Sequence, residues 1–174
     1  QDRADAFNRG LDFALFALWD EFRAAEPVAD CGPFHPQLAA VLPLLADPDW
    51  CNKAYAGKVS EIRPCIGCQE GCVNEFVEGG HPQCAVNPRT GFEDVLPAIP
   101  APTDHPRKIG VVGAGPAGIV FAVNAARRGH TVELIEKEKT LGGKVVPGSV
   151  PLVKYDFANY LTYLQEQVQE TLAL

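Results

Sequence analysis

The chain contains no methionine, two tryptophans, and fewer bases than acids: 15 Lys and Arg against 22 Asp and Glu, a formal net charge of −7. That balance, with no basic stripe anywhere, excludes a nucleic-acid surface. Long apolar runs are also absent. Leu11 to Trp19 and Ile109 to Val112 are the longest strongly apolar stretches, well short of the roughly 20 residues a bilayer span needs. No basic region followed by a plain apolar run opens the chain, so no secretion signal is read. A translation product normally begins with Met. Its absence, and a last helical pattern still running at Leu174, lead us to expect a piece of a longer protein at both ends. The 174 residues, 47% of them hydrophobic, suffice for one ordinary domain or two small ones with a packed core.

Three segments are legible. Residues 1–60 read as a helical N-terminal segment. Phe7, Leu11, Ala14, Leu15, Leu18 and Phe22 recur at helical spacing over residues 2–25, before Pro27 and Cys31-Gly32-Pro33 end the pattern. A short helix is expected around Asn52 to Ala56, closed by Gly57. Residues 61–106 are rich in cysteine, then in proline. Pro97, Pro100, Pro102 and Pro106 predict a stiff, extended connector and a boundary near residue 106. Residues 107–174 predict a strand (Lys108 to Val112), a glycine turn, a helix (Pro116 to Arg128, stopped by Gly129) and a second strand (Thr131 to Ile135). A final amphipathic helix over 155–174 places Phe157, Leu161, Leu164, Val168 and Leu172 on one face. No convincing third strand follows. The fold class is therefore α/β: a partial Rossmann-like βαβ unit of the FAD/NAD(P)-binding kind, preceded by a helical and loop-rich iron–sulfur segment.

Six cysteines are present, and four of them, Cys65, Cys68, Cys72 and Cys84, crowd into twenty residues. Beside a nucleotide motif, this favours metal ligation in a reducing compartment, the cytoplasm, over disulfides. Three close thiols on a tight loop and a fourth returning from further along can close a cage around a 4Fe–4S cluster. Gly67 and Gly71 suit a loop that curls its backbone around such a group. Zinc is the competing ligand, although structural zinc usually takes its ligands as two pairs. Cys31 and Cys51 stand outside the pattern as ordinary thiols, and His81 as a solvated loop histidine.

Gly113-Ala114-Gly115-Pro116-Ala117-Gly118 is a G-x-G-x-x-G that follows an apolar strand and opens a helix. Gly113 permits the tight turn, Gly115 lets backbone approach a pyrophosphate, and Gly118 lets helix and strand pack closely. The helix N-terminus offers free N–H groups and positive dipole to phosphates. Glu136, at the end of the second strand, stands where an acid binds a ribose hydroxyl, which favours FAD, ADP or NAD over NADP. Pro116, Ala117 and Lys137 border these groups and are counted with the site. Gly142 and Gly143 form a second pair where backbone can come near a nucleotide.

Together the motifs resemble the multidomain branch of the old yellow enzyme family, which includes 2,4-dienoyl-CoA reductase, 2-enoate reductase and trimethylamine dehydrogenase. The resemblance rests on Ala46-Asp47-Pro48-Asp49, on Glu61 to Cys68, on Cys84-Ala85-Val86-Asn87-Pro88, and on the Gly113 turn with Glu136 and Gly142-Gly143. It covers about residues 44–170. It implies that residues 1–60 join the end of a (β/α)8 barrel that binds FMN and reduces the substrate. It implies that the four cysteines relay electrons between FMN and FAD, and that a further domain takes hydride from NAD(P)H. The parent would then be an oxidoreductase, and this chain would hold its wiring without a catalytic acid, base or nucleophile. The expected partners are the rest of that polypeptide and NAD(P)H, with no nucleic acid or membrane. Two positions depart from the family: Val41-Leu42 stand where it usually has Gly-Arg, and Gly91-Phe92-Glu93 where it tends to have Gly-Arg-Glu. The other readings are a zinc-stabilised nucleotide-binding module and a truncated remnant without function.

Overall fold

A computed structural model describes residues 42–172. The helix expected over residues 2–25, Cys31, and any joining to a barrel lie outside the described residues.

The nucleotide-binding half follows directly from the pattern. Strand β1 (Lys108–Val112) and strand β2 (Thr131–Ile135) pair in parallel, with Lys108 opposite Thr131 and Val112 opposite Ile135. Parallel neighbours need a crossover, and helix α1 (Pro116–Arg127) supplies it. Its fixed-φ proline sits in the first turn, where a missing N–H costs nothing. Gly129, at φ +97°, ends it in the left-handed conformation that glycine adopts freely. The strands alternate in burial, so Ile109, Val111, Val132 and Leu134 face inward, while Val112 and Ile135 are exposed. The sheet has two strands among the described residues.

Helix α2 (Tyr155–Leu172) closes the unit by packing along α1. It buries Tyr160, Leu164, Gln167 and Val168. A short helical turn, Val145–Gly148, also lies against it. No helix among the described residues is long and apolar enough to cross a membrane.

The cysteine half has little regular structure. Residues 42–46 are helical, Trp50–Tyr55 and Val73–Val77 form short helices, and Val59–Glu61 is a 3-10 turn that also touches α2. Buried polar groups hold this half together. Asp47, 4% exposed, accepts from Lys53 Nζ (2.6 Å), the Arg63 N–H (2.8 Å) and the Asp49 N–H (3.1 Å). Asn87, 1% exposed, donates to the Leu45 carbonyl at 2.9 Å and accepts from the Arg89 N–H at 3.1 Å. Thr90 Oγ1 donates to the same Leu45 carbonyl at 2.8 Å. These bonds tie the chain just before Cys65 and just after Cys84 to one stretch, Leu45 to Asp47, of which Ala46 and Asp47 are buried.

A single core serves both halves. Ala46 and Val86 from the cysteine half join Ala114, Ile119 and Val123 from the nucleotide half, with Tyr160, Leu164 and Val168 of α2 between them.

Candidate functional site

The glycine turn begins where β1 ends. Gly113 takes φ +95°, and its N–H extends the ladder to the Ile135 carbonyl at 2.7 Å. A Cβ at Gly118 would run into the Gly113 carbonyl oxygen, so helix and turn meet only because Gly118 lacks a side chain. A Cβ at Gly115 would meet nothing within 4 Å, which leaves the backbone open to a ligand on that side. Gly115 is the N-cap of α1 and no side chain caps it, so the first N–H groups of the helix stay free for an anion.

Glu136 sits beside this turn. Its carboxylate accepts from the Ala114 N–H at 2.7 Å, the Lys137 N–H at 2.8 Å and the Glu138 N–H at 3.1 Å. The Ala114 bond, then those from Glu138 and Lys137, holds its pKa below the ordinary carboxylate value. Lys137 itself projects into solvent. The second glycine pair proves to be part of the same turn. The Gly142 N–H donates to the Ala114 carbonyl at 2.7 Å, and a Cβ on Gly143 would come within 3.0 Å of Gly115 Cα. Gly142 also takes φ +126°, and a Cβ there would strike Leu161 of α2. Sequence reasoning offered the pair as a way to bring backbone near a nucleotide; the structure adds that it buttresses the first glycine turn.

The four cysteines lie on a loop drawn closed by one backbone bond, from the Gln83 N–H to the Gly71 carbonyl at 2.6 Å. That bond joins the neighbours of Cys72 and Cys84. Positive φ at Gly67 and Gln69 curls the loop. Burial pushes the Cys65 thiol above its ordinary value, and Cys84, Cys68 and Cys72 push it further. The Gly67 N–H, 3.4 Å from Cys65 Sγ, works in the opposite direction. Burial also raises Cys72, opposed by the Val73 N–H and reinforced by Cys68 and Cys84. No three His, Cys, Asp or Glu side chains among the described residues converge to hold a single metal ion.

Cys65 and Cys84 pack against the shared core. Burial raises the Tyr160 phenol above its ordinary value, opposed by Arg63 and reinforced by Tyr163 and Cys84. Tyr160 carried no signal for the site in the sequence, because its importance lies in where α2 puts it. His81 is exposed and stacks on Phe92 with ring centroids 5.2 Å apart. Cys51 is a half-buried free thiol on the helix Trp50–Tyr55.

A separate cavity of about 470 Å³ opens on another flank of α1, rimmed by Arg63, Arg89, Arg127 and Arg128. It includes none of the turn glycines. Three of these arginines donate to their own surroundings: Arg63 to the Ala46 carbonyl (3.4 Å), Arg89 to the Leu96 carbonyl (2.7 Å) and Arg127 to Gln167 Oε1 (2.7 Å).

Comparison with known proteins places this geometry. Residues 109–173 match the FAD dependent oxidoreductase family. A metal reductase of Desulforamulus reducens is 42% identical over 121 residues, which are 70% of this chain and 18% of that protein. A cinnamate reductase of Clostridium sporogenes is 45% identical over 114 residues, 66% of this chain and 17% of that one. The solved structure of a 2-naphthoyl-CoA reductase superposes with a TM-score of 0.70 at 36% identity, covering 75% of this chain and 20% of that one. The chain thus spans about a fifth of the length of the relatives it matches. It belongs to the FAD-dependent oxidoreductases, in the branch of the enoate and 2,4-dienoyl-CoA reductases and trimethylamine dehydrogenase.

Proposed function

We propose that this chain is the electron-relay and ADP-binding segment of an NAD(P)H-dependent flavoprotein reductase. Cys65, Cys68, Cys72 and Cys84 hold a 4Fe–4S cluster. Gly113, Gly115, Pro116, Ala117, Gly118, Glu136, Lys137, Gly142 and Gly143 cradle the ADP part of FAD. The observation that carries the reading is the placement of both features on one core: Ala114 belongs to the buried cluster against which Cys65 and Cys84 pack.

The donor set fits the cluster. Thiolates are the soft ligands that select iron–sulfur groups or zinc. Three closely spaced thiols and a fourth returning from further along match the four-iron group, whereas structural zinc usually takes its ligands as two pairs. When bound, that group supplies one-electron transfer. The protein contributes burial and N–H bonds to sulfur, of which the Gly67 N–H to Cys65 is one.

The nucleotide assignment rests on the free N–H groups at the start of α1, the open space over Gly115 and the carboxylate of Glu136. In this reading the parent polypeptide adds an FMN-binding barrel and a nicotinamide domain, works in the cytoplasm, and passes electrons from NAD(P)H through FAD and the cluster to FMN. Metal analysis of anaerobically purified protein tests the relay. About four iron and four sulfide per chain, with brown absorbance, are expected. A colourless protein carrying one zinc would sink the relay and leave a zinc-stabilised nucleotide module.

A further inference from the structure

The two halves of the site are joined by more than sequence. Ala114, between the first two turn glycines, is fully buried. Its N–H is held by Glu136 and its carbonyl by the Gly142 N–H. Its side chain shares a core with Tyr160, Leu164 and Val168 of α2. Cys65 and Cys84 pack against that same core. One turn of helix earlier, Asp156 Oδ2 lies 3.3 Å from where a Cβ on Gly67, between Cys65 and Cys68, would stand. Helix α2 therefore borders the cysteine loop at Asp156 and supplies Tyr160, Leu164 and Val168 to the core against which Cys65 and Cys84 pack, while it also packs along α1. Tyr160 also stacks on Tyr163, centroids 6.3 Å apart, so its ring has a fixed place.

We propose that Tyr160 is a positioning residue that couples nucleotide binding at the glycine turn to the order of the cysteine loop. The proposal rests on the nucleotide reading above. A ligand that tightens the turn holds Ala114. Ala114 holds the core against α2, and α2 holds Cys84 in place. By linkage the effect is reciprocal: a loop fixed by its metal group binds ADP more tightly.

The test uses metal-free protein, so it does not depend on which metal group the cysteines take. Alkylation of Cys84 by iodoacetamide is followed by peptide mass spectrometry with and without saturating ADP. ADP binding itself is measured separately by calorimetry. Saturating ADP is expected to slow Cys84 alkylation by about fivefold or more, the lower end of typical coupling between sites. Cys51, outside the shared core, is the internal control and keeps its rate. Tyr160→Phe retains the ring and the protection. Tyr160→Ala loses it, and Asp156→Ala, which removes no buried apolar group, reduces it. ADP that binds without changing the Cys84 rate overturns the coupling alone. ADP that does not bind overturns the nucleotide reading, and the coupling with it. Equal protection in Tyr160→Ala and the wild type would assign the coupling to some other contact.

Discussion

Asp47 shows how much one side chain holds. Its carboxylate gathers a lysine ammonium and two backbone N–H groups while 4% exposed. Removing it strands the Arg63 N–H and leaves Lys53 without its closest partner. Breaking a buried pair from one side typically costs about 3 kcal/mol or more. Asp47→Ala is therefore expected to lower the stability of the chain by about 3 kcal/mol, read as a lower urea midpoint at unchanged slope. Asp47→Asn, which keeps an acceptor, should lose less. The sequence offered Ala46-Asp47-Pro48 and Asn87-Pro88 only as parts of a resemblance. Their physical role could not be read there, because the Leu45 carbonyl that Asn87 reaches lies 42 residues away along the chain. The turn residues were legible, since each meets a local demand: positive φ at Gly113, no room for Cβ at Gly118, an acid at Glu136.

Among elements, the two strands and the crossover helix fall where the pattern put them, because strand alternation, the first-turn proline and the terminal glycine all act within a few residues. The short helix after Cys72 and the turn at Val145–Gly148 carried no such signal. They are four or five residues long, one contains Pro147, and the closure of their loops sets them. Helix α2 was foreseen in extent, but its buried face differs from the purely apolar one. Leu164 and Val168 are buried as expected, joined by Tyr160 and Gln167. A count of apolar residues misses both. The helix has two partners, and Gln167 reaches the core with its polar tip satisfied by Arg127 at 2.7 Å. Leu164, 1% exposed, is the pivot of this packing. Leu164→Ala should cost about 3 kcal/mol, from lost burial plus the cavity left behind. A thermal melt should show the nucleotide and cysteine halves losing stability together, as one transition.

At the scale of the whole molecule, pH acts on the two halves in opposite directions. Glu136 has a lowered pKa in the folded chain, so its contribution is present at neutral pH and is lost as pH falls through the carboxylate range. Cys65 and Cys72 have raised values, so the metal-free fold is favoured below the ordinary thiol value of 9.0 and loses stability as pH rises past it. Stability of the metal-free chain, measured by denaturant titration across pH, should therefore plateau near neutrality and fall on both sides. A shallower alkaline fall in a Cys65→Ala, Cys72→Ala double variant, with the remainder due to the raised Tyr160 phenol, would confirm the thiols' share. Metal binding, which needs thiolates, should strengthen with pH over the same range in which the empty fold weakens.

The small parallel sheet has a consequence of another kind. Among the described residues the two strands leave two outer edges whose backbone donors and acceptors can still accept a neighbour, and Val112, 85% exposed, stands at the rim. Parallel sheets are ordinarily covered on both faces. This surface is thus a template: strands that complete a dinucleotide fold can zip onto it, and so can a strand from another molecule. The opening that lets the fold grow is the same one through which it can misassemble.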